Sequence, residues 1–137
     1  MLVAALTGDL GWGLLVVGDS GAGFRDLPER WPGEGRERPP VVAGEDAFVV
    51  SVRHPADGGI EVRFWAGEED WGRRGACELA VVAMRVPSGV VVLGDVLRET
   101  VVRADVGAGR YRVQINADNA VYPAVIDVVA VREPERP

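Results

Sequence analysis

The chain has 137 residues, of which 47% are hydrophobic and 26% charged, a composition typical of one folded globular domain. It contains no lysine, one histidine (His54) and one cysteine (Cys77), so all 15 basic residues are arginine. These counts exclude a lysine Schiff base, a Walker A phosphate loop, an intrachain disulfide and a four-ligand Cys/His zinc site. They favour a protein that works by binding, without a cofactor or a metal, over an enzyme.

The net charge of −6 is unevenly distributed along the chain. Residues 1–70 hold 13 acids and 6 arginines, whereas residues 71–137 hold 8 acids and 9 arginines. An acidic half repels nucleic acids and acidic membrane surfaces and attracts basic proteins, although acidity also keeps small proteins soluble. We therefore expect a basic protein partner, no nucleic acid and no membrane, and leave homo-oligomerisation open.

The first residues, MLVAALTGD, form a short apolar run without a preceding positive charge. This pattern is not that of a secretory signal or of a membrane anchor. A single cysteine also fits a reducing compartment. Both features favour a cytoplasmic protein.

From Trp12 onward, short segments rich in β-branched residues are separated by glycine and proline turns. In IEVRFW, Ile60, Val62 and Phe64 recur at every second position, as in a strand with one buried face. No window shows an amphipathic helix, so the predicted fold is an all-β, antiparallel sandwich of about seven to nine strands. The candidate strands are Trp12–Gly18, Ala47–Arg53, Ile60–Trp65, Cys77–Val86, Val90–Leu93, Val96–Val106, a segment around Tyr111, and Ala124–Val131.

The same pattern predicts how the domain, residues 1–137, is organised. Asp57-Gly58-Gly59 predicts a hairpin turn before Ile60. A Pro/Gly-rich loop at residues 25–40 is either a binding loop or a mobile connection, and residues 133–137 form a short polar tail. The predicted core residues are Phe48, Val50, Val52, Ile60, Val62, Phe64, Leu79, Val81, Tyr111, Val113 and Ile126.

One motif resembles a known catalytic sequence. The segment GDSGAG, around Ser20, is similar to the nucleophile segment of trypsin-like proteases. In that family the histidine precedes the serine, whereas His54 follows Ser20, and 137 residues cannot form two six-stranded barrels. A glycine-rich turn is the better interpretation, so we expect neither Ser20 nor His54 to be catalytic.

The segment WAGEEDW is the main candidate for a binding site. Glu68, Glu69 and Asp70 lie between Trp65 and Trp71, and a surface of this kind anchors a partner through its aromatic rings while its acids attract basic groups. The alternative interpretation places the tryptophans in the core and leaves the acids to solvate a turn. A further tryptophan in the 25–40 loop, Trp31, is added to the predicted partner-binding residues.

Four stretches in this order resemble the competence-J family of bacterial DNA-entry nuclease inhibitors. They are WGLLVV, FRDLPERWP, AFVVSVRHPADGGIEVRF and VPSGVVVLGDVLRETVVRADVGAGRYRV, and the resemblance covers roughly residues 12–131. It implies a bacterial inhibitor or immunity protein that blocks a basic nuclease by covering its nucleic-acid groove. The rival hypothesis is a β-sandwich that binds a small ligand or carbohydrate through Trp31, Trp65 or Trp71.

Overall fold

A computed structural model describes residues 1–21 and 39–134 of the chain. Trp31, most of the predicted 25–40 loop and the last three residues of the predicted tail lie outside these ranges. No helix in the described part has the length and apolar character that crossing a membrane requires. The described strands are β1 (Leu2–Gly8), β2 (Leu14–Asp19), β3 (Val41–Ala43), β4 (Ala47–Ser51), β5 (Ile60–Ala66), β6 (Cys77–Val86), β7 (Val90–Gly94), β8 (Val101–Asp105), β9 (Gly109–Ala117) and β10 (Val125–Arg132). Short 3-10 turns lie at Gly11–Gly13, Pro55–Asp57 and Glu68–Asp70.

The ten strands form two five-stranded sheets that enclose one hydrophobic core. The first sheet has the order β1-β5-β10-β9-β6, and the second has the order β3-β4-β2-β7-β8. Neighbouring strands are antiparallel except β5 and β10, which run parallel. The predicted all-β sandwich is confirmed.

Two strands beyond those expected account for the count of ten. The opening apolar run forms β1, which pairs with β5 at the edge of the first sheet. The three-residue strand β3 pairs with β4 at the edge of the second sheet. Both are edge strands, which have only one neighbour to specify them, and β3 is also short.

The predicted hairpin before Ile60 is wrong. The strand that precedes the turn, β4, lies in the second sheet, whereas β5 lies in the first. Residues 52–59 therefore cross between the sheets, with Gly58 in a backbone conformation (φ 126°) that favours glycine. Hydrophobic alternation identifies a strand and its buried face, but it does not specify which sheet the strand joins.

The predicted burial of Val81 is also wrong, because β6 contains a bulge. Its pairing with β9 shifts register between Glu78 and Ala80, and a bulge of one residue moves the following side chains to the opposite face. Met84 consequently points into the core and Val81 is 48% exposed. Leu79 is partly buried against the core, and the remaining predicted core residues are buried.

Candidate protein-binding surface

The segment that follows β5 lies against the outer face of the first sheet. The N–H of Gly67 donates to the carbonyl oxygen of Ala130 in β10 (3.1 Å). Farther along, the N–H of Gly72 donates to Oε1 of Gln114 in β9 (2.8 Å), and Nε2 of Gln114 donates to Glu78 (2.9 Å). These contacts attach the predicted binding segment to β10, the central strand of the sheet, and to its neighbour β9.

Asp127 organises the polar side chains beneath this segment. Its side chain lies on the outer face of β10, is buried with its residue 1% exposed, and accepts two hydrogen bonds from Arg63 at 2.8 and 3.0 Å. Nε1 of Trp65 donates to the same carboxylate at 2.8 Å. Asp127 raises the pKa of the Arg63 guanidinium through these bonds. A buried carboxylate thus holds two side chains of the neighbouring parallel strand in fixed positions.

Asp70 is buried in a second cluster of charges, with 2% of its residue exposed. Oδ1 accepts from Nε and Nη2 of Arg74 at 3.0 and 2.7 Å, while Oδ2 accepts from the ammonium group of Met1. The ammonium group, and after it Arg74, hold the pKa of Asp70 below its usual range although burial opposes the shift. The negative charge of Asp70 is therefore compensated within the protein.

Arginines cover both tryptophans of the segment. The guanidinium carbon of Arg74 lies 3.7 Å from the ring centroid of Trp65, and that of Arg112 lies 4.6 Å from the ring centroid of Trp71. Both distances are within the range of favourable cation–π contacts. Each indole therefore has one face occupied, and both tryptophans are half-buried.

The three adjacent acids have different environments. Glu68 and Glu69 are exposed at the turn, whereas Asp70 points inward. Glu69 accepts a hydrogen bond from the ammonium group of Met1 at 3.1 Å, and its own backbone N–H, followed by this ammonium group, lowers its pKa. Glu68 makes no ion pair with any residue of the described chain. The charge that faces solvent at this turn comes from Glu68 and Glu69.

The supporting residues of this surface were not predicted from the sequence. For Asp127 the sequence offers one indication, because this residue is the single charge in the apolar run AVIDVVAV. A charged residue in a central strand requires a partner. Asp70 and Arg74 are four residues apart. This spacing predicts a side-chain contact only on a helix, and the sequence of this segment does not predict a helix. Arg63 and Arg112 have the usual outward positions of polar residues in alternating strands.

Ser20 and His54 lie at opposite ends of the sandwich, since each follows the end of one of two antiparallel strands, β2 and β4. Oγ of Ser20 lies 2.9 Å from Oγ of Ser88, which donates to Asp19 at 2.6 Å. Nδ1 of His54 accepts from the N–H of Ala56 at 3.1 Å. The two residues therefore cannot form a catalytic pair, and each has a local role in its turn. No group of three His, Cys, Asp or Glu side chains in the described ranges is arranged to hold a metal ion.

This two-sheet arrangement defines a class of β-sandwich that occurs in solved structures. One is ComJ from Bacillus subtilis, an inhibitor of the DNA-degrading activity of NucA, with a TM-score of 0.66 and 9% identity over 97% of this chain and 98% of that chain. Another is the crocagin biosynthetic gene J protein, with a TM-score of 0.53 and 13% identity over 98% of each chain. No protein-family model and no curated protein sequence matches the chain. The predicted resemblance to the competence-J family is thus confirmed at the level of the fold.

Proposed function

We propose that this chain is an inhibitor or immunity-like protein that binds a basic protein partner, such as a nuclease, and has no catalytic activity of its own. The observation that carries this proposal is the similarity to ComJ, which spans nearly the whole length of both chains. The acidic balance of residues 1–70 supports it, because nucleases carry basic grooves for nucleic acid and attract acidic proteins.

The proposed contact surface is the turn between Trp65 and Trp71, together with Trp31. Glu68 and Glu69 provide its exposed charge, while Asp70 has the different role of holding the turn in place through Arg74. A turn fixed before binding loses little conformational entropy in the complex. The surface is therefore suited to a partner that presents arginine or lysine side chains.

The rival hypothesis, a small-ligand or carbohydrate site at these tryptophans, has weaker support. A stacking platform requires an open ring face, and Arg74 and Arg112 already occupy one face each of Trp65 and Trp71. A sugar would have to use the remaining, half-buried face or displace an arginine.

Affinity capture from the native lysate tests this function. The wild-type chain and the double variant Glu68→Arg/Glu69→Arg serve as baits, and mass spectrometry identifies the retained proteins. A basic nuclease retained by the wild type, depleted on the variant and inhibited by the wild-type protein in a DNA-degradation assay supports the proposal. Retention of no basic protein, or capture of a nuclease that remains fully active, contradicts it.

A further inference from the structure

One end of the sandwich is formed by four loops that we call the loop end: residues 9–13, 52–59, 95–100 and 118–124. Strands β1, β4, β7 and β9 finish there, and β2, β5, β8 and β10 begin there. The turn that carries Glu68 follows the other end of β5, a strand of seven residues. The two places are therefore about 20 Å apart along the strand.

Exposed apolar side chains are concentrated at the loop end. Trp12 is 68% exposed, more than any other aromatic side chain in the described ranges. Burial of such a ring elsewhere in the fold would be favourable, so its exposure requires an explanation. Five of the eight large hydrophobic residues exposed in the described chain lie in these loops or at their margin: Trp12, Leu97, Val101, Val121 and Tyr122.

The backbone of these loops is also unusual. Three non-glycine residues in the described chain have positive φ angles, Trp12 (63°), Arg98 (58°) and Tyr122 (45°), and all three lie at the loop end. Bulky residues rarely adopt this conformation, because it brings Cβ close to the following carbonyl oxygen. Two of these strained positions, Trp12 and Tyr122, carry aromatic rings that are 68% and 48% exposed, so a large part of each ring faces solvent. Strain of this kind typically persists at sites that bind.

Hydrogen bonds hold the loops in these conformations. The carbonyl oxygen of Gly13 accepts from Val52 at 2.9 Å, and that of Pro123 accepts from Arg53 at 3.0 Å. The side chain of Asp118 accepts from the N–H groups of Asn119, Ala124 and Val125 at 3.0 to 3.2 Å. Trp12 and Tyr122 are consequently placed on loops that adjoin the same crossing segment, residues 52–59, and that are hydrogen-bonded to the rest of the fold.

The charge of the loop end specifies the chemistry of its partner. The four loops contain five acids, Asp9, Asp57, Asp95, Glu99 and Asp118, and two arginines, Arg53 and Arg98. Four of the acids are exposed, all except Asp95, and none of the four forms an ion pair within the described residues. Aromatic rings and carboxylates without an ion pair, presented by the same group of loops, suit arginine and lysine side chains, which stack on the rings and pair with the acids.

We infer that the loop end is a second protein-binding surface, whose partner is a polypeptide segment carrying arginine or lysine, with Trp12 and Tyr122 as its aromatic contacts. This inference goes beyond the proposed function, because it concerns a different face and holds whether or not the partner of the Glu68 turn is a nuclease. The exposed apolar groups give the surface its binding energy, and the exposed acids select a basic segment over a neutral one.

A titration of the isotope-labelled protein with a basic peptide tests the inference. The probe is acetyl-RGRGRGR-amide, the control probe is acetyl-QGQGQGQ-amide, and amide and indole NMR shifts are followed at low and at physiological salt. We expect the arginine peptide to shift the Trp12 indole signal and signals of the four loops, and the glutamine peptide to shift none of them. Trp12→Gly combined with Tyr122→Ala should weaken binding about tenfold or more.

Two further variants separate the possible explanations. Val81→Ala removes an exposed apolar side chain from β6 and should leave the titration unchanged, and the Trp12→Gly variant should unfold at or above the wild-type temperature. Shifts that remain in the aromatic double variant, or that centre on Glu68 and Glu69, overturn the inference without affecting the proposed function. An equal response to the glutamine peptide, or no shift at millimolar arginine peptide, also overturns it.

Discussion

The guanidinium group of Arg74 contacts Trp65 and Asp70 at the same time. Its carbon lies 3.7 Å from the ring centroid of Trp65, while its Nε and Nη2 donate to Oδ1 of Asp70. One side chain therefore joins the end of β5 to the turn that follows it. Because this contact turns Asp70 inward, Glu68 and Glu69 are left on the solvent side.

The pair formed by Arg63 and Asp127 should respond asymmetrically to substitution. Arg63→Leu leaves a carboxylate that is 1% exposed without its cation, and we expect it to destabilise the fold by about 3 kcal/mol or more. Asp127→Asn keeps an acceptor for Trp65 and leaves a cation that reaches water, so we expect about 1–2 kcal/mol. Urea unfolding of both variants provides the measurement. An equal or reversed order would show that Asp127 does not depend on Arg63.

Substitutions of Phe64 in β5 and Val81 in β6 test which side chains the structure places in the core. Phe64 is fully buried, and Phe64→Ala should cost about 3–5 kcal/mol, as at other buried aromatic sites. Val81 is exposed, and Val81→Ala should change stability by less than about 0.5 kcal/mol. Both values come from denaturant unfolding. A loss above about 1 kcal/mol at Val81 would place that side chain in the core and contradict the register of β6.

Most of the fold could be predicted from the sequence because alternation depends on local residues. Ile60, Val62 and Phe64 line one face of β5, and the structure confirms their burial. The side-chain faces of β6 could not be predicted, because the bulge near Leu79 arises from pairing with β9, a strand about thirty residues away in sequence. The misassigned hairpin before Ile60 has the same cause, since sheet membership is a long-range property.

The candidate surface was predictable only in part. The sequence identifies the acidic turn, but Glu68 and Asp70 look alike there and differ only through tertiary contacts. Trp12 was assigned to a strand, because its neighbours Leu14 and Leu15 are apolar, and no local signal indicates its positive φ angle. Exposure and backbone strain are properties of the folded chain, so the loop end became visible only in the structure.

Tyr111 should make stability depend on alkaline pH. Its side chain lies in the core, as predicted, its hydroxyl lies 2.6 Å from the carbonyl oxygen of Val106 and 2.8 Å from that of Gly107, and burial raises its pKa. A raised pKa in the folded state gives stability that is fully present below the ordinary value of about 10 and is lost as pH rises through the folded value.

The measurement compares Tyr111→Phe with wild type in urea unfolding between pH 8 and 12, both in a Tyr122→Phe background so that absorbance at 295 nm reports Tyr111. We expect Tyr111→Phe to cost about 1 kcal/mol at neutral pH and to show a shallower loss of stability at high pH. All other titratable groups are common to both proteins, so their contributions cancel in the comparison. Identical pH profiles would show that Tyr111 ionises as in the unfolded chain.

Trp12→Gly should stabilise the fold although it removes the largest side chain of its loop. Trp12 has a φ angle of 63° and is 68% exposed, so glycine relieves the backbone strain and loses only the packing of the smaller, buried part of the side chain. The expected gain is about 1 kcal/mol, reduced by the greater freedom of glycine in the unfolded chain. Trp12→Ala is the control, because alanine retains the strained Cβ. A clear loss of stability with glycine would show that the indole ring packs against the fold.

Glu68 and Glu69 should control how fast a basic partner associates. Reversing all three acids of the turn is unsuitable, because Asp70 is buried between Arg74 and the ammonium group of Met1. Glu68→Arg/Glu69→Arg changes the exposed charge and leaves Asp70 with Arg74.

With the partner captured from the lysate, we expect this variant to slow association by about tenfold or more at low salt with little change in dissociation. Surface plasmon resonance at several salt concentrations gives both rates, and added salt should slow the wild-type association because it screens exposed charges. If association is independent of salt and unchanged in the double variant, these acids only solvate a turn, and the partner contacts another face of the sandwich.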